Sequence, residues 1–248
     1  MALSLLTRIP AGVGRWQDVD PSRAVPWFPV IGAALGVCVA GAWAGLRAIL
    51  PALVAAAVGV AVGVVLTGAF HEDGLADTAD ALGGRHREEA RRILKDPAHG
   101  TYGVLAIALS VLLRVGALAA LGGWSALAVL PAAHALSRGA GGVLLWSAVP
   151  VLEVGLGTSY ARAATGRGVG VGAGAAFLIA LVAMGAWAVP AAVLAALGAG
   201  AVGLAARRRF GGITGDVVGA AQQVGEVAVL VLGAAIVTSG WGSPAWWR

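Results

Sequence analysis

Long apolar runs without charge recur along the whole chain, and they constrain the fold more than any other feature. Uninterrupted runs of about 18 or more apolar residues are the mark of membrane-spanning helices. Seven runs are legible: Trp27–Leu50, Ala52–Phe70, Tyr102–Leu121, Trp124–Val149, Gly172–Ala188, Val189–Ala206 and Val217–Thr238. Each is close to the ~20 residues that cross ~30 Å of hydrocarbon at 1.5 Å per residue. The fold class is therefore an all-α, polytopic transmembrane helix bundle of about seven spans (six to eight). The least settled region is 172–206, where Pro190 either opens a sixth helix or kinks one long one. Many positions hold Gly or Ala, which let helices approach closely in a bilayer. Only 12% of the 248 residues are charged, about half the share of a soluble domain. That excludes a soluble globular enzyme, a disordered chain and a disulfide scaffold, and the single Cys38 has no partner for a bridge.

Charge placement orients the bundle. With the N-terminus in the cytoplasm, the inner segments carry Arg8, Arg15, Arg23, Arg85, Arg87, Arg91, Arg92, Lys95, Arg162, Arg167, Arg207, Arg208 and Arg209. The outer face carries only Arg47 and Arg248. This asymmetry is the positive-inside bias, and it accounts for the net charge of +5 without nucleic acid. No acidic residue falls outside; all lie in inner segments or, for Glu226, within the last span. Met1–Pro26 reads as a cytoplasmic lead-in with no cleavable signal peptide. Trp27, Trp124, Trp241, Trp246 and Trp247 sit near span ends, as interfacial anchors do. The expectation is one integral membrane domain over 1–248, with a cytoplasmic acidic loop at 71–101 and multi-pass insertion in a bacterial or archaeal cytoplasmic (inner) membrane.

That loop carries the chemistry. It opens F-H-E-D-G-L-A-D-T-A-D, and on a helix Asp73, Asp77 and Asp80 share one face at i, i+4 and i+7. Three like charges so placed need an offset. A divalent cation such as Mg²⁺, with hard oxygen ligands and a bridge to substrate phosphates, supplies one; a solvated acidic helix end is the plainer alternative. Glu72 points elsewhere on that helix, and His71 is placed to orient a carboxylate or touch substrate. Further on, K-D-P-A-H-G-T forms a turn, and Lys95 with the backbone amides around Gly100 and Thr101 is a candidate phosphate seat. Two cationic side chains lie at membrane depth. Arg138 is either a structural ion pair or a phosphate contact, with His134 one turn earlier as a packing residue. Arg114 snorkels or pairs. The last span opens G-G-I-T-G-D, and Asp216, Gly219, Gln223 and Glu226 form one small or polar stripe. Glu226 finds its best charge partner in Arg138. Gly211, Gly212 and Gly215 permit close backbone approach. From the residues alone, two classes fit: a metal-dependent transferase acting on a phosphorylated substrate, or an ion-coupled transporter. No inverted repeat is visible, and the acids gather at the rim, which weighs against the transporter.

The motifs T-R-I-P (Thr7–Pro10), F-P-V-I-G (Phe28–Gly32), F-H-E-D-G-L-A-D-T-A-D (Phe70–Asp80), K-D-P-A-H-G-T (Lys95–Thr101), S-R-G (Ser137–Gly139) and G-G-I-T-G-D-V-V-G-A-A (Gly211–Ala221) run in order over essentially the whole chain. Together they resemble the cobalamin synthase (adenosylcobinamide-GDP ribazoletransferase) family, with Lys95-Asp96 standing where that family has Arg-Asp. The acidic cluster is also similar to that of CDP-alcohol phosphotransferases, whose full D-x-x-D-G-x-x-A-R pattern is absent. The resemblance implies an Mg²⁺-dependent condensation of adenosylcobinamide-GDP with α-ribazole or its 5′-phosphate, releasing GMP. It further implies Asp73, Asp77 and Asp80 as metal ligands, and Asp216 as completing that site or acting as general base. His71 becomes a second base candidate, while Lys95 and Arg138 offset phosphate charge. Gly100, Thr101, Gly215, Gln223 and Glu226 become the substrate contacts. The partners expected are these small molecules and the lipid bilayer, with no nucleic acid and with self-association left open.

Overall fold

A computed structural model describes residues 1–10, 20–147 and 155–247, and all regular structure among them is helical. Arg15, Asp18, Glu153, Arg248 and the end of the fourth apolar run at Val149 lie outside the described residues. Seven long helices overlap the seven apolar runs, α9 beginning six residues before its run: α2 (Phe28–Arg47), α3 (Ala52–Thr67), α6 (Thr101–Ala120), α7 (Gly123–Trp146), α9 (Gly166–Met184), α10 (Ala188–Phe210) and α11 (Gly215–Thr238). Four shorter helices complete the chain: α1 (Ala2–Leu6), α4 (Phe70–Leu82), α5 (Arg87–Ile93) and α8 (Leu156–Ala163). Among the described residues, Pro21–Arg47, Thr101–Ala120, Gly166–Phe210 and Gly215–Thr238 are long and apolar enough to cross a membrane, and α3 with α4 forms a further, bent pair.

The apolar stretch Gly166–Phe210 doubles back. Gly185, in a left-handed conformation (φ 58°), breaks it ahead of a single 3₁₀ turn, Gly185–Trp187. Both outer ends then return to the end of α7: Gly166 packs by Trp146, and Arg207 donates to the Ser147 carbonyl at 2.6 Å. The sequence alternative of one long kinked helix is thus replaced by a hairpin. Pro190 sits in the first turn of α10, where a missing N–H costs little.

α7 is the central strut, buried on most sides by α2, α9, α10 and α11. Small residues let it be so. A Cβ on Gly36 of α2 would lie 2.5 Å from the Leu130 carbonyl oxygen, and one on Gly32 would overlap the His134 carbonyl. Pro131 lies within the continuous α7 at this crossing. The outer surfaces of α3, α6, α9 and α10 expose Val65, Leu105, Leu109, Leu112, Leu178, Val182 and Leu197. So much apolar exposure is at home in lipid and hazardous in water. Trp27, Trp124, Trp241, Trp246 and Trp247 are all exposed, while Trp43 is core.

The site is positioned by one corner. α3 ends at Gly68 (φ 66°), and Ala69 follows with φ 58°, the one non-glycine residue of positive φ among those described. Two left-handed residues in succession turn the chain by 90° into α4. The amide of Arg8 donates to the Leu66 carbonyl at this corner, so the N-terminal segment closes over it.

Candidate functional site

α4 lies across the end of the bundle against α6 and α11. Its amphipathic face divides the acids. Glu72 is buried; Asp73 is exposed; Asp77 is half-buried. His99, in the turn before α6, sits between two of them. Its Nε2 lies 3.7 Å from Asp73 Oδ1 and its Nδ1 3.4 Å from Asp77 Oδ1. The potential ligand atoms of Asp73, Asp77 and His99 all fall within 4.8 Å of one another, a spacing that can hold a divalent cation. The Asp77 carboxyl is pushed up to about 6, first by burial and then by the like charges of Asp73 and Asp216; His99 opposes the rise and Asp80 adds to it.

Asp80 departs from the expected triad. Its Oδ2 accepts the Gly100 amide at 2.7 Å and its Oδ1 accepts the Gly103 amide at 2.8 Å. The carboxylate therefore caps the N-terminus of α6 across twenty-odd residues of chain, satisfying two of the donors that a helix start leaves open. Side chains at Gly100 or Gly103 would collide with it. The Gly100 amide, expected to meet phosphate, is thus already engaged, while Lys95 and Thr101 remain exposed. His99 takes the place that i+7 spacing suggested for Asp80. The quoted motif K-D-P-A-H-G-T contained it, but nothing in local spacing connects a residue in that turn to α4.

Asp216 approaches from α11. Thr214 caps that helix by accepting the Val217 amide at 3.3 Å, and its hydroxyl donates to Asp216 Oδ2 at 3.3 Å. Gly74 brings α4 down onto this turn: a Cβ there would lie 2.8 Å from the Asp216 carbonyl oxygen. A Cβ on Gly157 of α8 would lie 2.5 Å from the Gly215 amide nitrogen, so the missing side chain of Gly157 lets α8 pack on this turn.

The remaining predicted residues form a second, interior constellation. Arg114 Nη1 donates to Glu72 Oε1 at 2.9 Å and lies 3.7 Å from Glu226 Oε1. Glu226 Oε2 lies 3.0 Å from His134 Nδ1 and 3.5 Å from Arg138 Nη1. Arg138 also donates to the His134 carbonyl at 3.1 Å. Gln223 Nε2 donates to Glu72, and Ser110 donates to Gln223. All these side chains are buried. Two carboxylates thus balance two guanidiniums, the condition under which buried charge is tolerated. Of the two readings open for Arg138, the ion pair is the one observed. Gln223 and Glu226 belong to this network and not to the acidic cluster. His71 is also buried; with Glu72, Arg114, Arg138 and Glu226 it lines a cavity of about 20 Å³. Glu72 Oε2, Arg114 Nε and Nη2 and Arg138 Nε have no hydrogen-bond partner among the described residues, and such a space suits a single bridging water.

The fold and its polar end define a helical membrane protein whose acidic side chains converge at one mouth of the bundle. A family model described as cobalamin-5-phosphate synthase matches residues 1–234. The chain belongs to that family and is an enzyme of it. Relatives named adenosylcobinamide-GDP ribazoletransferase include one from Ralstonia nicotianae, 39% identical over 238 residues (93% of this chain, 92% of the relative). Another, from Escherichia coli, is 38% identical over 243 residues (92% and 96%). A third, from Rhizobium etli, is 42% identical over 176 residues (67% of each). No solved structure matches significantly. Membership in the family sets aside the transporter and CDP-alcohol alternatives.

Proposed function

We propose that the chain joins adenosylcobinamide-GDP to α-ribazole or its 5′-phosphate at the mouth formed by α4, the turn before α6 and α11. A ribose hydroxyl oxygen bonds to the phosphorus that carries the cobinamide arm. The bond from that phosphorus to GMP breaks, and GMP leaves. Reactions of this kind need positioning and charge neutralisation more than covalent help from the protein. Asp73 and Asp77 would hold Mg²⁺, whose charge offsets that of the diphosphate when it is bound. Their carboxylate oxygens are the hard donors this ion takes. His99 keeps the two aspartates apart and oriented. Asp216, fixed by Thr214, receives the proton of the attacking hydroxyl. Lys95, exposed beside the mouth, offsets phosphate charge. In this reading the mouth faces the cytoplasm and seven crossings lie behind it, which the arginine-rich loops on that side support.

The observation that supports this reading most is the meeting of Asp73, Asp77 and His99 with Asp216, residues from three separate segments. Membranes containing the full chain, given adenosylcobinamide-GDP, α-ribazole 5′-phosphate and Mg²⁺, are expected to yield GMP and cobalamin phosphate by mass spectrometry. Asp77→Asn is expected to insert and form no product. Full activity of that variant, or undiminished turnover in excess EDTA, overturns the assignment.

A further inference from the structure

Beside the mouth, between α1, α2, α4, α8 and α11, lies a recess that the reaction as described leaves unused. Phe28, Phe70, His71, Tyr160, Gly215 and Gln222 line it, and its free volume is about 50 Å³. Three of these residues are more than nine-tenths buried and carry an atom without a hydrogen-bond partner among the described residues: His71 Nε2, Tyr160 Oη and Gln222 Oε1. A buried polar atom left unmet is costly, so three around one recess require an explanation. Apolar walls with a few converging polar groups are the usual build of a small-molecule site. Phe28 packs on the Tyr160 ring, with centroids 5.9 Å apart, which holds the phenol in place. Gly215 precedes Asp216, so a ligand seated here lies next to the proposed base.

We propose that this recess receives the benzimidazole base of the acceptor nucleoside, an inference that rests on the ribazole reading above. The base is flat and apolar apart from one free ring nitrogen, an acceptor. The Tyr160 hydroxyl donates to that nitrogen, and Gln222 Oε1 accepts from a ribose hydroxyl. Phe28 and Phe70 flank the ring. A bicyclic ring exceeds the present volume, and the wall that yields is α1, whose Leu5 and Leu6 border the recess. One helical turn has little stability of its own.

The test compares acceptors in membranes holding the full chain. Tyr160→Phe is expected to raise KM for α-ribazole about tenfold, the effect of one lost hydrogen bond to a buried acceptor. KM for adenosylcobinamide-GDP and kcat stay as in the parent. The parent protein disfavours the indole riboside, which lacks the ring nitrogen, by about the same factor, and Tyr160→Phe loses that discrimination. Leu6→Trp, which fills the recess from α1, raises acceptor KM further. If Tyr160→Phe keeps both the parent KM and the parent discrimination, the recess holds only water and the proposal falls. If the parent forms no cobalamin product from any acceptor, the function reading itself falls, a separate and distinguishable failure.

Discussion

Asp77 and Asp80 are one turn apart on α4 and are given opposite tasks by what faces them. Asp77 meets burial and the negative charges of Asp73 and Asp216, with only His99 in compensation, and its carboxyl rises to about 6. With no cation bound, its proton stabilises the fold at acid pH, and that contribution is lost as pH rises from the ordinary 3.8 through 6. A cation competes with the same proton. Mn²⁺ binding to the purified protein, followed by electron paramagnetic resonance, is therefore expected to weaken about tenfold per pH unit below 6 and to level off above it. A flat profile between pH 5 and 7 contradicts this. Asp80 instead spends both oxygens on the α6 amides. Asp80→Asn puts an amide N–H against a backbone N–H, and it is expected to lower stability by about 1.5–3 kcal/mol in detergent unfolding while weakening Mn²⁺ binding far less than Asp77→Asn does. The shared face of Asp73 and Asp77 was legible from spacing. The diversion of Asp80 and the arrival of His99 were not, because both depend on where the α6 start docks, and no local pattern encodes that.

At the scale of elements, the corner between α3 and α4 decides where the acids point. The apolar run Ala52–Phe70 gave no sign of it, since Ala69 has nothing in its chemistry to announce a left-handed conformation. The presence of the long helices was readable from hydropathy, although α9 begins at Gly166, six residues before its apolar run; this bend, and the short α8, were not, because neither interrupts composition strongly. Gly68 carries the cost of the turn. It has φ 66°, and a Cβ there would overlap the Arg8 guanidinium. Gly68→Val is expected to lose about 1–3 kcal/mol of stability and most of the activity together. Gly41→Val, on α2 with open space around it, is the control and should leave product formation near the parent level. Equal tolerance at the two positions, in thermal unfolding and in product yield, argues against the corner as the element that aims α4.

Across the whole molecule, polarity is sorted by depth. The buried Glu72, Arg114, Arg138 and Glu226 tie α4, α6, α7 and α11 together, while the arginines of α5 and the α10 terminus gather at the mouth. Arg91 donates to the Phe210 carbonyl and Arg209 to the Leu82 carbonyl, so this basic end also closes two helix termini. The pairing of Arg138 with Glu226 was foreseeable from charge at membrane depth; that of Glu72 with Arg114 was not, because Glu72 reads as a residue merely off the acidic face. The concentration of arginine at the mouth makes a topological prediction. Positive charge is retained on the cytoplasmic side, so the mouth should face inward and the α11 end outward. In a Cys38→Ser background, Ser239→Cys lies at the exposed far end of α11 and Glu88→Cys on the exposed α5. A membrane-impermeant maleimide should label Ser239→Cys in intact cells and Glu88→Cys only after lysis. The opposite pattern would turn the bundle over and place the acidic mouth outside, away from a cytoplasmic supply of nucleotide-linked substrate.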